Sequence, residues 1–115
     1  MKKSLAEIAR CFDTDKSQSE NYINNFERHF EHLRDIPLSV LELGVYHGGS
    51  LLMWHEYFPK GLIVGLDMNP DPFKEIPERV RFYQGSQDDG ALLDRIAQEC
   101  APDGFDIVID DASHV

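Results

Sequence analysis

Basic residues are scarce in this chain of 115 residues: 11 Lys and Arg stand against 21 Asp and Glu, a formal net charge of −10. A surface that negative repels phosphate backbones and anionic lipid, which argues against nucleic-acid or membrane-surface binding. Long apolar runs are also missing, and none approaches the roughly 20 residues needed to cross a bilayer. The opening Met1-Lys-Lys-Ser-Leu-Ala-Glu-Ile is basic but has no apolar stretch of the length a secretory leader needs. Only two cysteines occur, Cys11 and Cys100, and neither lies in a C-x-x-C context. Both are expected to be reduced, buried thiols of a cytoplasmic protein. No repeat, low-complexity tract or Gly/Ser linker interrupts the sequence. With 42% apolar and 28% charged residues, the composition is that of one ordinary globular domain, and whole-chain disorder is excluded.

Pattern divides the chain at about Pro37, into a helical segment 1–37 and a nucleotide-fold segment 38–115. Leu5, Ile8, Ala9 and Phe12 recur at helical spacing over 4–12. After a polar loop, Tyr22, Ile23, Phe26, Phe30 and Leu33 mark one face of a helix over about 20–34, ended by Asp35 and Pro37. Aromatic residues at this spacing read as core contacts.

From Leu38 onward, apolar strands alternate with helical patterns. Strands are expected at 38–43, 62–67, 80–84 and 105–109. Helices are expected from about Ser50 to Phe58 and over about 89–99, and the Pro-rich, acidic stretch 68–78 reads as a loop. Alternation of this kind implies βαβ crossovers and a parallel sheet covered by helices, so the fold class is α/β.

Ligands of open parallel sheets bind beyond the carboxyl ends of the strands. Four such tips carry polar groups or glycine: Glu42 to Ser50, Asp67, Gln84 to Asp88, and Asp110 to His114. Gly44 permits a tight turn, and Gly48 and Gly49 let the next helix begin close to a ligand. Asp67 follows Gly44 by 23 residues, at a place where a carboxylate can accept both hydroxyls of a ribose. Together these features point to nucleoside binding. The G-x-x-x-G-G spacing, with Tyr46 where a dinucleotide site has glycine, argues against NAD. Glu42 would repel a pyrophosphate and suit the amino group of a methionine moiety, favouring S-adenosylmethionine. Taken alone, Asp110 and Asp111 read first as helix caps and His114 as a surface residue, with site carboxylates and a base as the alternative.

The runs Val40-Leu-Glu-Leu-Gly-Val-Tyr-His-Gly-Gly-Ser-Leu-Leu-Met-Trp54, Tyr57-Phe-Pro59, Gly65-Leu-Asp67 and Asp106-Ile-Val-Ile-Asp-Asp-Ala-Ser-His114 resemble class I methyltransferases. Within them, the resemblance is to the group of macrocin and mycinamicin sugar O-methyltransferases with the cephalosporin-hydroxylase-type proteins. Asp13-Thr-Asp-Lys16 and the aromatic helix are similar to segments that precede the nucleotide fold in that group. The resemblance implies a Rossmann-like methyltransferase sheet, of which this chain supplies strands in the order 3-2-1-4, preceded by helices. It further implies S-adenosylmethionine as cofactor and a magnesium-assisted methyl transfer to a hydroxyl of a small-molecule acceptor. On that basis Glu42, Gly44, Tyr46, Gly48 and Ser50 would line the methionine end, Asp67 would hold the ribose, and Gln87 and Asp88 would flank the adenine. Asp111 would be a metal ligand and His114 the base.

In such a pairing, a hard cation bound through oxygen lowers the pKa of the acceptor hydroxyl while an imidazole takes its proton. Two departures qualify the match: Gly85-Ser86 replaces the usual Gly-Asp, and the resembled enzymes continue beyond the position of Val115 with further strands and metal-binding carboxylates. The expectation is therefore a truncated N-terminal portion of a longer enzyme, with a hydrophobic fourth-strand edge open to pairing with a second copy. A non-catalytic nucleotide-binding or interaction module and a nicotinamide dehydrogenase are the competing readings.

Overall fold

The computed structural model describes residues 3–5, 7, 8, 26–44, 49–70, 73 and 75–110. Four strands form one parallel sheet: β1 (Leu38–Leu43), β2 (Gly61–Asp67), β3 (Val80–Gln84) and β4 (Ile107–Asp110). Their spatial order is β3-β2-β1-β4, the order that the methyltransferase resemblance implies. Helix α1 (Gly49–Tyr57) connects β1 to β2, and helix α2 (Gly90–Cys100) connects β3 to β4. Among the described residues, no helix is long and apolar enough to cross a membrane.

Side chains alternate across each strand, so one sheet has two cores. Leu38, Val40, Ile63, Val80, Ile107 and Ile109 face one side, under Leu51, Met53, Trp54, Tyr57 and Phe58 of α1 and the turn after it. Leu5 and Ile8 join this layer, and Phe26, Phe30 and Leu33 pack against it, so part of the segment before the sheet is tied to the same core. Residues 26–30 are helical, and the chain tightens into a 3-10 turn at Glu31–Leu33 before β1. On the opposite face, Leu41, Val64, Leu66 and Ile96 form a smaller cluster, flanked by Leu92, Leu93 and Phe105. Burial on both faces explains why β1 and β2 read as continuous apolar runs.

Two boundaries rest on side chains. Helix α2 begins where Asp89 accepts a hydrogen bond from the Leu92 amide at 3.1 Å, an N-cap that satisfies one orphan donor of the first turn. Strand β4 starts two residues later than the apolar pattern suggests. There the Asp106 carboxylate accepts from the Ser39 amide at 2.8 Å, while the Asp106 amide donates to the Ser39 carbonyl at 3.0 Å. Strand β4 lies at one edge of the sheet, as expected, with Ile107 and Ile109 facing the core and Val108 its one exposed large apolar residue. Cys100 carries a free, half-buried thiol, and Cys11 lies outside the described residues.

Candidate functional site at the strand exits

Register brings the expected tips together. Leu43 pairs with Leu66 on one side and Asp110 on the other, and Asp67 pairs with Gln84. Gly44, Asp67, Gly85 and Asp110 therefore lie along one rim of the sheet. The Gly44 amide donates to the Leu66 carbonyl at 2.9 Å, and the Gly85 amide to the Asp67 carbonyl at 2.9 Å, which carries the ladder to the rim. At Gly44, φ is +85°, a left-handed backbone in which any Cβ is strained. Its glycine thus lets the chain leave β1 sharply, directly beside Asp67.

Each tip has local chemistry of its own. The Asp67 Oδ1 accepts from the Asn69 amide at 2.8 Å, an Asx turn that orients the carboxylate at the end of β2. Next to it, Met68 is 74% exposed, a large apolar side chain at the rim that the sequence reading did not single out. After β3, the Ser86 hydroxyl accepts from the Asp88 amide at 3.1 Å and the Ser86 carbonyl from the Asp89 amide at 3.1 Å. This compact turn leaves Asp88 exposed. The Gln87 Oε1 is buried and has no hydrogen-bond partner among the described residues, a costly state for an acceptor unless a donor arrives from outside. Gly85 serves packing: a Cβ there would come within 2.3 Å of Leu92 Cδ2.

Glu42 and Ser50 are placed differently from the rest. Glu42 is wholly buried on the α1 side of β1, in register with Leu38 and Val40. Its Oε1 accepts from the Ser50 hydroxyl, and its Oε2 accepts from the Trp54 indole N–H at 2.8 Å. A carboxylate in an apolar layer is tolerated only when its oxygens are bonded, and here one helix supplies both donors. Tyr46, Gly48, Asp111 and His114 lie outside the described residues. Among the described residues, no group of three or more His, Cys, Asp or Glu could hold a metal ion.

The groups with shifted protonation sit away from this rim. His55 at the end of α1 is held below its ordinary value by burial and then by the charge of Arg79. On the α2 side of β3, burial is the chief cause that raises the Tyr83 phenol, aided by its contacts with Cys100 and Glu99. The Tyr83 hydroxyl donates to Glu99 at 2.6 Å, and that bond lowers Glu99.

A parallel 3-2-1-4 sheet with a left-handed glycine after its first strand and an acid at the tip of its second is common to dinucleotide-binding Rossmann folds and class I methyltransferases. Superposition on solved structures assigns it to the latter. MycE methyltransferase from the mycinamycin biosynthetic pathway, in complex with Mg, SAH and mycinamycin VI, superposes with a TM-score of 0.86 at 40% identity, over 99% of this chain and 32% of that one. The structure described as cmcI-D160 Mg-SAM shares the fold with a TM-score of 0.65 at 22% identity, over 85% of this chain and 43% of that one.

By sequence the chain groups with the macrocin- and mycinamicin-type sugar O-methyltransferases. It is 50% identical over 97 residues to the 8-demethyl-8-(2-methoxy-alpha-L-rhamnosyl)-tetracenomycin-C 3'-O-methyltransferase of Streptomyces olivaceus, covering 78% of this chain and 24% of that protein. It is 41% identical to the mycinamicin VI 2''-O-methyltransferase of Micromonospora griseorubida, covering 99% of this chain and 30% of that protein. The chain thus spans 24% and 30% of the lengths of these two relatives. No protein-family model matches it.

Proposed function

We propose that this chain is the cofactor-binding part of an S-adenosylmethionine-dependent O-methyltransferase whose acceptor is a hydroxyl of a sugar or other natural product. The observation that carries this reading is the rim itself: the left-handed Gly44, the oriented Asp67 and the Gln87 acceptor, without a partner among the described residues, lie at or just beyond the exit ends of adjacent strands. The rim fits the cofactor. The left-handed turn at Gly44 admits the methionine portion to close backbone approach, and Tyr46 and Gly48, which follow it in sequence, are assigned to the same portion. Asp67 accepts the ribose hydroxyls. Gln87 Oε1 takes the exocyclic amine of adenine, which would satisfy its open valence, and Asp88 flanks the same base.

When bound, the cofactor supplies a methyl group on a sulfonium, and the chain's own work is to bind it and hold its orientation. Strand β4 delivers the chain to this rim at Asp110. Asp111 and His114 follow there in sequence, and we assign them as metal ligand and proton-accepting base. Magnesium, when bound, would acidify the acceptor hydroxyl, and the imidazole of His114 would take the proton. We also propose that residues 1–37 form a helical segment and 38–115 the nucleotide fold. Partners would be a small-molecule acceptor and no nucleic acid or membrane, given the charge of −10. A second copy would pair along β4, and the protein would reside in the cytoplasm.

Calorimetric titration with S-adenosylhomocysteine and with NAD tests the reading. S-adenosylhomocysteine is expected to bind and NAD not to. Asp67→Ala should weaken S-adenosylhomocysteine at least about tenfold, from the loss of hydrogen bonds to a charged acceptor. Tight binding of NAD, or an Asp67→Ala variant that binds like wild type, would overturn it. Binding without methyl transfer to sugar hydroxyls, by a chain extended to the length of its relatives, would leave a nucleotide-binding module instead.

A further inference from the structure

Glu42 is the one acidic side chain in the apolar column of β1, and the rim chemistry above makes no use of it. Direct contact with the cofactor's amino group would require a carboxylate directed at the rim. Here both oxygens are engaged by α1 instead, through Ser50 in its first turn and Trp54 in its second. Those residues are four apart and so share one face of the helix. Glu42 is 0% exposed and Ser50 is 5% exposed. The negative charge also lies beside the N-terminal turn of α1, where the helix dipole favours it.

We propose that Glu42 is a positioning residue, which clamps the first two turns of α1 onto the exit of β1 and so fixes where Gly49 stands relative to Gly44 at the cofactor rim. Both positions are then set independently. Gly44 is held to Leu66 through the backbone, and Gly49 is held through the Glu42–Ser50–Trp54 contacts. Loosening the clamp shifts the start of α1 against Gly44, so ligand contacts at this part of the rim weaken whether or not the ligand carries an amino group. Removing a direct bond to the amino group would hurt only ligands that carry that group. This difference separates positioning from contact, and it rests on the cofactor proposed above.

The test uses Glu42→Gln, which keeps the shape and removes the charge. Affinities are measured for S-adenosylhomocysteine and for its deamino analogue, under conditions where unfolding curves show both proteins fully folded. Positioning is expected to weaken both ligands by the same factor, about tenfold for a sub-ångström to 1 Å displacement of binding groups. Adding Trp54→Phe to Glu42→Gln should then cost little further affinity, because the two residues act as one unit.

Trp54 is the only tryptophan, so its indole N–H gives a single proton resonance that reports the clamp without any ligand. This resonance should be slow to exchange in wild type and should move upfield in Glu42→Gln. If Glu42→Gln does not fold, Ser50→Ala removes one donor only, and it should weaken both ligands equally by a smaller factor. Loss confined to S-adenosylhomocysteine would overturn positioning in favour of direct contact. Unchanged affinity for both ligands would reduce Glu42 to a purely structural residue and overturn it as well. Failure of the wild-type chain to bind S-adenosylhomocysteine would instead defeat the function proposed above, and is read before any variant is made.

Discussion

Replacing Arg79 with alanine and, separately, with glycine divides side-chain bonding from backbone strain at the end of the sheet opposite the rim. Arg79 has φ +69°, and its guanidinium donates to the carbonyls of Phe58 and Gly61 at 2.9 Å each and to that of His55 at 3.2 Å. These carbonyls end α1 and open β2, and the Phe58 carbonyl also accepts from the Gly61 amide at 2.9 Å, so one cation ties the helix end to the strand start through three acceptors. A hydrogen bond from a charged donor contributes about 1.5–3 kcal/mol, but this side chain is only partly buried and water replaces some of each bond. Loss of all three is therefore expected to cost about 3 kcal/mol in Arg79→Ala. Glycine loses the same bonds but relieves a left-handed backbone worth about 1 kcal/mol, so Arg79→Gly should fall only about 2 kcal/mol below wild type. Urea unfolding reads both differences. Ligand affinity at the rim should not change, since Gly61 and Val80 lie at the starting ends of β2 and β3. An alanine variant within about 0.5 kcal/mol of wild type would refute the clamp, and a glycine variant no more stable than alanine would refute the strain.

Three further outcomes follow from local geometry. Gly44→Ala places a Cβ on a backbone at φ +85° and should destabilise by about 1–2 kcal/mol in urea, with a parallel loss of S-adenosylhomocysteine affinity; equal stability would contradict the left-handed turn. Asp89→Ala removes the α2 cap and should lower stability by about 1 kcal/mol, with amide exchange increased first at Leu92. For His55, burial and then Arg79 hold the folded imidazole below 6.5, so the unfolded chain binds the proton more readily. Stability is therefore complete above about pH 7 and declines as the pH falls through 6.5 toward the lowered folded value. His55→Gln should flatten that decline between about pH 7.5 and about pH 5.5, and an unchanged slope would contradict the assignment.

Much of the sheet was legible because parallel strands buried on both faces leave near-continuous apolar runs, as in Leu38–Leu43 and Gly61–Asp67. The start of α2 was expected at about residue 89, and the structure supplies the reason in the bond that the Asp89 carboxylate accepts from the Leu92 amide. The rim followed from topology, since parallel strands must end on the same side.

What sequence reading did not resolve is direction. An acid just before a glycine bend looks like a ligand contact, yet the period of two places Glu42 with Leu38 and Val40, beneath α1. The signal was present, in the four-residue spacing of Ser50 and Trp54, but it takes a packed helix to show that both donors meet one carboxylate. Strand β4 begins later than its apolar pattern because Asp106 bonds back to Ser39 across the sheet, a long-range contact with no local mark. Arg79 gave no hint of its left-handed backbone, because arginine does so only when distant carbonyls hold it there.

Amide chemical-shift mapping during titration with S-adenosylhomocysteine examines the cofactor rim most directly. The largest shifts are expected at Gly44, Asp67, Gly85, Gln87 and Asp110, with little change at Leu38, Gly61, Val80 and Ile107 on the far side. Shifts concentrated at those four starting positions, or none anywhere at saturating ligand, would contradict a cofactor site at the strand exits.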